Sequence, residues 1–283
     1  MDKRFLEEKI FKALMIASVL AAALGLLCIL GVIFVKGFSA LSFDMFFKTP
    51  GGGYYIGKSG GIANAILGSA VLCAIALLIA AIVSISVVLY LNIYRHKDSR
   101  FAAALRFVLD IMWGLPSIVY GAFGFTVMVF FGMRASLLAG SVTVAFLIIP
   151  VMTKTMDAAV KMVPPELLEA SYSLGLTRFE TAFNVVLRQA FPGVLTGMLV
   201  AFGRGIGDAA SVLFTAGFTD SLPGSLLKPV ATLPLAIFFQ LGTPFPEVQQ
   251  RGYAAALILT LIVLLVSIFS RILAVKFTKH NVK

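Results

Sequence analysis

The chain has 283 residues, 60% of them hydrophobic and 13% charged, with a mean hydropathy of +1.00. Soluble domains are about half apolar and about a quarter charged, so the composition excludes an ordinary soluble fold and points to an all-α integral membrane protein. The net charge of +10 suits either nucleic acid or an anionic membrane face, and its placement along the chain decides between them.

The first apolar run, Ala13 to Val35, has 23 residues without a charge, about 35 Å of helix and enough to span a bilayer. It is too long for the core of a secretory signal and ends in Val35-Lys36-Gly37 rather than at a small-residue cleavage site, so it is expected to remain as an anchor. Further spans are predicted over Ile62–Leu91, Ile111–Phe131, Ser136–Thr153, Phe191–Phe218 and Tyr253–Leu273, which makes six transmembrane helices. Cys28 and Cys73 lie inside these runs and read as small buried hydrophobes rather than a disulfide or metal pair.

Orientation follows from Lys and Arg in the connecting stretches. Residues 1–12, 92–110, 154–190 and 271–283 carry four each, sixteen in all, against six for 36–60, 132–135 and 218–251. Both termini are therefore expected in the cytoplasm, and Arg204 alone is left inside the membrane. Most of the positive charge is thus topological, and no nucleic-acid partner is expected. The domain plan is a cytoplasmic segment 1–12 and a transmembrane domain 13–283, with its core at 60–275 and a cytoplasmic loop at 154–190.

That loop has structure written into it. Pro164-Pro165 opens a short helix where a missing N–H costs least, and Gly175 closes it as a cap. Thr177-Arg-Phe-Glu180 has capping-box spacing, so a second helix is predicted to start there and run towards Pro192. On the opposite side the apolar stretch Leu226–Leu241 is interrupted by Lys228, Pro229 and Pro234; it is too short and broken to span, and an interfacial or re-entrant segment is expected.

Gly52-Gly-Tyr-Tyr-Ile-Gly57-Lys58-Ser59 matches the expression of a phosphate-cradling P-loop. The motif needs a buried strand before it and a soluble helix after it. Here it lies between two spans on the predicted outer side, and a flexible turn is the sounder reading. His96 and His280 sit in basic stretches, with no cluster at metal-ligand spacing.

The fifth span carries the strongest signal. Arg204 and Asp208 lie one turn apart in an otherwise apolar run, where each charge costs at least about 2.5 kcal/mol on insertion scales. The same helical face continues through Ser211 and Thr215, a polar stripe suited to a hydrated pathway; an internal ion pair that touches no substrate is the alternative. Gly193, Gly197, Ala201, Gly205 and Ala209 recur every four residues. Such spacing lets helices approach closely in lipid, either within the chain's own bundle or against a second membrane subunit.

Glu169-Ala170-Ser171-Tyr-Ser-Leu-Gly175, followed after nine residues by Val185-Val186-Leu187, resembles the EAA-x3-G-x9-I-x-L loop of bacterial ABC importer permeases. Ser171 stands where that family usually has Ala, and Arg188 where Pro is common. Pro116-Ser-Ile-Val-Tyr-Gly121, the stretch Gly203 to Ala216, and Gly60-Gly-Ile-Ala-Asn-Ala-Ile are similar to the PstA-type permeases of phosphate importers, which commonly have Glu where this chain has Asp208. The resemblance implies a type I ABC importer permease fold in the bacterial inner membrane. It implies a PstC-type paralogous permease, an ATPase dimer that uses ATP and magnesium, an extracytoplasmic phosphate-binding protein, and phosphate as substrate. This chain would bind no cofactor and would not itself be an enzyme. Glu169, Ala170 and Gly175 would couple to the ATPase, and Arg204, Asp208, Ser211 and Thr215 would line the pathway. A permease for sulfate or molybdate, and a secondary transporter or channel without an ATPase, are the competing readings.

Overall fold

A computed structural model describes residues 3–51, 59–94 and 99–278. The chain is a bundle of long helices, as its composition requires. Helix α1 (Lys3–Ala40) begins well before the predicted Ala13. A short α2 (Phe43–Phe47) and a two-residue antiparallel pair, β1 (Pro50–Gly51) with β2 (Ser59–Gly60), lead into α3 (Ala63–Leu89), which ends in a π turn, Tyr90–Tyr94. The P-loop-like pattern falls between those strands; its Gly52–Lys58 part lies outside the described residues, as do His96 and His280.

The third predicted span is corrected. In place of one helix over Ile111–Phe131 there are two, α4 (Arg100–Gly114) and α5 (Ser117–Phe130), set at 105° to each other. Pro116 is the cause: it has no N–H to continue α4, and it forces Leu115 out of helical conformation (ψ 135°). At 14 residues α5 is about 21 Å long, so it crosses only as part of the bent pair. Counting that pair once, the described residues contain six candidate spans.

Helix α6 (Leu137–Lys161), capped by the Ser136 hydroxyl, occupies the middle of the bundle. Of its most apolar window 72% is buried, against 0% for α1, so α6 is the packing axis and α1 lies at the edge. Met152 and Met156 of α6 meet Leu72 and Ala76 of α3 in the main core. Next come α7 (Pro165–Ser173) and α8 (Arg178–Glu180), a π turn (Thr181–Val186) and α9 (Leu187–Ile206). The second half of the predicted loop and the fifth span are therefore one rod, Arg178–Ile206. It runs through Pro192 rather than stopping there.

The chain then leaves helical structure for 26 residues, until α10 (Leu233–Leu241) and α11 (Pro246–Thr278). Val230, Ala231, Leu233, Leu235 and Ala236 are all buried, so the broken apolar stretch is packed inside the protein. Irregular backbone at membrane depth is tolerated there because neighbouring groups satisfy its hydrogen bonds.

Candidate functional site

The continuous fifth helix expected over Phe191–Phe218 stops at Ile206, and Arg204 and Asp208 do not share one helical face. Two local causes end it. Gly203, Gly205 and Gly207 lower helix propensity over five residues, and the Asp208 carboxylate accepts the Ser211 backbone N–H at 2.8 Å, which offers the chain a turn in place of the next helical bond. Asp208 is thus engaged with backbone. Among the described residues no ion pair joins it to Arg204, and the Arg204 side chain is exposed in the last turn of α9. The alternative of an internal ion pair thus finds no support among the described residues, and the guanidinium is left available.

Beyond Asp208, Ser211 and Thr215 are fully buried. Thr215 donates to the Ser211 carbonyl at 3.0 Å, whereas the Ser211 hydroxyl has no partner. A buried orphan hydroxyl costs about 1–3 kcal/mol, so its retention beside Asp208 marks a polar spot in an apolar bundle.

Residues of three helices and one irregular stretch hold this segment in place. The Ser136 N–H at the start of α6 donates to the Thr215 carbonyl at 2.9 Å, and the Ala216 carbonyl takes the Val230 N–H at 3.0 Å. Asn64, fully buried in the first turn of α3, donates its amide to the Thr219 carbonyl at 2.7 Å. Gly121 of α5 lies so close that an added Cβ would stand 2.6 Å from the Ala210 carbonyl oxygen. The neighbouring Tyr120 hydroxyl donates to the Met112 carbonyl at 2.5 Å, clipping α5 to α4 across the bend. The motifs at 116–121 and 203–216, remote in sequence, therefore touch at Gly121, and the motif at 60–66 holds the same irregular segment further on, at Thr219.

The small-residue series faces α6. A Cβ on Gly193 would collide with Ala159; one on Gly197 would meet Met156 at 3.2 Å, and one on Gly205 Val144 at 3.1 Å. Ala201 is fully buried, and Ala209 lies past the helix end, partly exposed. These glycines serve close packing inside this chain.

At the other end of the rod, Pro165 is the first residue of α7, and Gly175 takes φ +82°, the left-handed conformation that closes the helix. Thr177 and Glu180 form the reciprocal capping box, with Glu180 N–H to Thr177 Oγ1 at 3.3 Å and Thr177 N–H to Glu180 Oε2 at 2.9 Å. The Thr177 backbone N–H first, and its hydroxyl second, hold the Glu180 carboxyl below the usual carboxylate range. Ser171 is buried, and its hydroxyl meets that of Thr181 at 3.0 Å. The Ala-to-Ser departure thus bolts α7 onto the rod. Glu169, Ala170 and Gly175 are exposed, together with the apolar Leu174, Tyr172 and Phe179. The result is a mixed acidic and apolar knob that this chain leaves uncovered.

Sequence reasoning missed a charge cluster near this end. Lys154 of α6 pairs with Asp110 of α4 and lies 4.6 Å from the centre of the Trp113 ring. Asn92 donates to Asp157 at 2.7 Å, and Lys161 pairs with the same carboxylate at 2.5 Å. Treating 154–190 as a loop hid the signal, because Lys154, Asp157 and Lys161 recur at helical spacing once α6 is carried to its end. Among the described residues no group of His, Cys, Asp and Glu is arranged to hold a metal.

Comparison with known proteins agrees with this architecture. Residues 91–279 match the family described as binding-protein-dependent transport system inner membrane component. The chain is 35% identical over 243 residues to the phosphate transport system permease protein PstA of Xylella fastidiosa strain Temecula1, covering 85% of this chain and 83% of that one. It is 34% identical over 275 residues to the PstA protein of Yersinia pestis, covering 97% and 92%. Among solved structures, an inward-facing MetNI methionine ABC transporter matches with a TM-score of 0.58 at 17% identity, over 76% of this chain and 95% of that one. A bacterial alginate ABC transporter matches with a TM-score of 0.59 at 13% identity, over 99% of each chain. Those two likenesses establish the fold, that of type I ABC importer permeases. With its apolar helices, the family match and the PstA relatives, the chain is a multi-pass membrane protein belonging to the binding-protein-dependent transport system inner membrane component family.

Proposed function

We propose that this chain is the PstA-type permease subunit of an ATP-driven phosphate importer, forming half of the translocation pathway and docking one ATPase subunit. The observation that carries the pathway role is Arg204, a guanidinium exposed in the last turn of α9 with no ion pair among the described residues, four positions before Asp208 and in the same segment as the partnerless Ser211 hydroxyl. A planar fork of donors suits phosphate oxygens, and in a low-dielectric passage a lone cation favours an anion strongly. Asp208 and the Thr215 turn position the segment, and Asp208 supplies the repulsion that keeps phosphate from resting too tightly.

The distribution of Lys and Arg supports a topology with both termini and α7 in the cytoplasm of a bacterium and 207–232 reached from the outer side. Phosphate would arrive on an extracytoplasmic binding protein, and a PstC-type paralogue would supply the other half of the passage. ATP and magnesium would be used on the ATPase dimer. Glu169, Ala170 and Gly175 present the coupling knob to that ATPase, and its movement rocks the bundle between outward and inward access.

The test is reconstitution of the assembled importer in proteoliposomes. ATP-dependent uptake of radiolabelled phosphate that excess sulfate or molybdate leaves unchanged is expected. Equal competition by either oxyanion overturns the choice of phosphate, and uptake without any ATPase subunit overturns the importer class.

A further inference from the structure

Helix α4 is placed and patterned as a helix that lies in the membrane surface. It stands at 105° to α5, so it runs along the surface of the bilayer that α5 crosses. Its diameter of about 10 Å makes up the difference between the length of α5 and a hydrocarbon core about 30 Å thick. Ala102 and Leu109 are buried against the bundle, whereas Phe101, Phe107, Val108 and Ile111 are exposed on the opposite arc. Arg106 and Asp110, one turn apart, follow one edge between the two arcs. Apolar residues over one arc and charges along an edge are the pattern of a helix seated at the headgroup boundary.

That edge opens into a cavity. Arg106 and Asp110 of α4, with Lys154 and Asp157 of α6, line a space of about 150 Å³, the volume of about five waters. Each carboxylate has a cation of its own: Asp110 pairs with Lys154, and Asp157 with Lys161 and the Asn92 amide. Arg106 has no ion pair among the described residues, and its Nε is buried without an acceptor. The site therefore carries one positive charge in excess, together with a donor that no group of this chain satisfies.

We propose that this cavity seats the phosphate of an anionic phospholipid, held by the Arg106 guanidinium, with the acyl chains laid over Phe107, Val108 and Ile111. Phosphodiester oxygens accept from Nε and a terminal nitrogen together, the paired geometry that a guanidinium presents. A headgroup of net charge −1 neutralises the excess, whereas a zwitterionic one brings an ammonium back against Arg106 and Lys154. Lipid is the occupant because the helix that presents Arg106 is bounded by hydrocarbon on its exposed arc. Soluble anions must cross the headgroup layer to reach the cavity, and lipid phosphates already occupy that layer. The topology proposed above assigns the lipid to the cytoplasmic leaflet; the site itself does not depend on that assignment.

Trp113 is the only tryptophan in the chain. It lies about two turns beyond Arg106 on the same face of α4, exposed and beside Lys154, so its fluorescence reports on lipid at this cavity. The full chain is reconstituted in phosphatidylcholine vesicles at physiological salt. A small fixed fraction of the lipid is phosphatidylglycerol or phosphatidylcholine brominated near the glycerol end of one chain. Brominated phosphatidylglycerol should quench Trp113 as though enriched about fivefold over its bulk fraction, and brominated phosphatidylcholine according to its bulk fraction. Arg106→Gln should bring the two lipids level while quenching by phosphatidylcholine is unchanged, α4 still lying in the membrane. Arg100→Gln removes an equal charge from the exposed first residue of α4, outside the cavity, and should keep most of the preference. Should the glutamine variant insert poorly, Arg106→Lys takes its place: it keeps the charge without the paired donors, and the preference should fall by about half. An unchanged preference in Arg106→Lys overturns the paired seat. Equal quenching by the two lipids in the unsubstituted chain, or equal losses in Arg100→Gln and Arg106→Gln, overturns the site. A preference abolished by added inorganic phosphate assigns the cavity to a free anion and overturns the lipid.

Discussion

Gly121 of α5 rests against the carbonyl of Ala210, with room for no side chain between them. The contact joins two segments 89 positions apart and sets the turn that follows Asp208. Gly121→Ala would place a methyl carbon 2.6 Å from that oxygen, and overpacking of this kind costs about 1–3 kcal/mol. The purified importer should melt at a lower temperature and transport should fall. Gly203→Ala is the control: nothing lies within 4 Å of its added carbon, and helix propensity favours Ala by up to about 1 kcal/mol. It should leave the melting temperature unchanged or raise it.

Asp208 caps the turn through Ser211. Asp208→Asn keeps an acceptor for that N–H and should preserve the fold with little loss of stability. Asp208→Ala strands the donor and should cost about 0.5–2 kcal/mol, the range for lost caps. Chemical denaturation of the two variants side by side separates them.

The capping box at Thr177 and Glu180 gives the coupling loop a pH dependence. Folding lowers the Glu180 pKa, so its stabilisation is present above the unfolded glutamate value, about 4.3, and is lost as pH falls through the lower folded value. Amide exchange at Arg178 to Thr181 should accelerate over that window. In Thr177→Ala exchange should be fast on both sides of it.

Those caps were legible because they are local: Pro165, Gly175, Thr177 and Glu180 each act within a few residues, and the structure places them where their chemistry demands. The end of α9 was not legible. Apart from Arg204 and Asp208 the apolar run continues to Phe218, and what stops the helix is a glycine cluster together with one carboxylate turning back onto backbone. The bend at Leu115 was equally hidden, since Pro116 alone does not reveal whether a helix kinks or breaks. Residues bearing the family resemblance could be picked out one motif at a time, whereas their convergence through Asn64, Gly121 and Ser136 depends on tertiary contacts that no spacing encodes.

Glu169 is exposed on α7 among Leu174, Tyr172 and Phe179. Glu169→Lys reverses its charge without touching the core, so membrane insertion should be normal while capture of the ATPase subunit in a pull-down is lost. Unchanged capture would move the docking surface elsewhere.

The pathway role of Arg204 is tested most directly by phosphate uptake of an Arg204→Gln importer in proteoliposomes. A charged hydrogen bond is worth about 1.5–3 kcal/mol, so uptake should fall about 10-fold to 100-fold, with subunit assembly intact. Wild-type uptake by that variant would contradict the account.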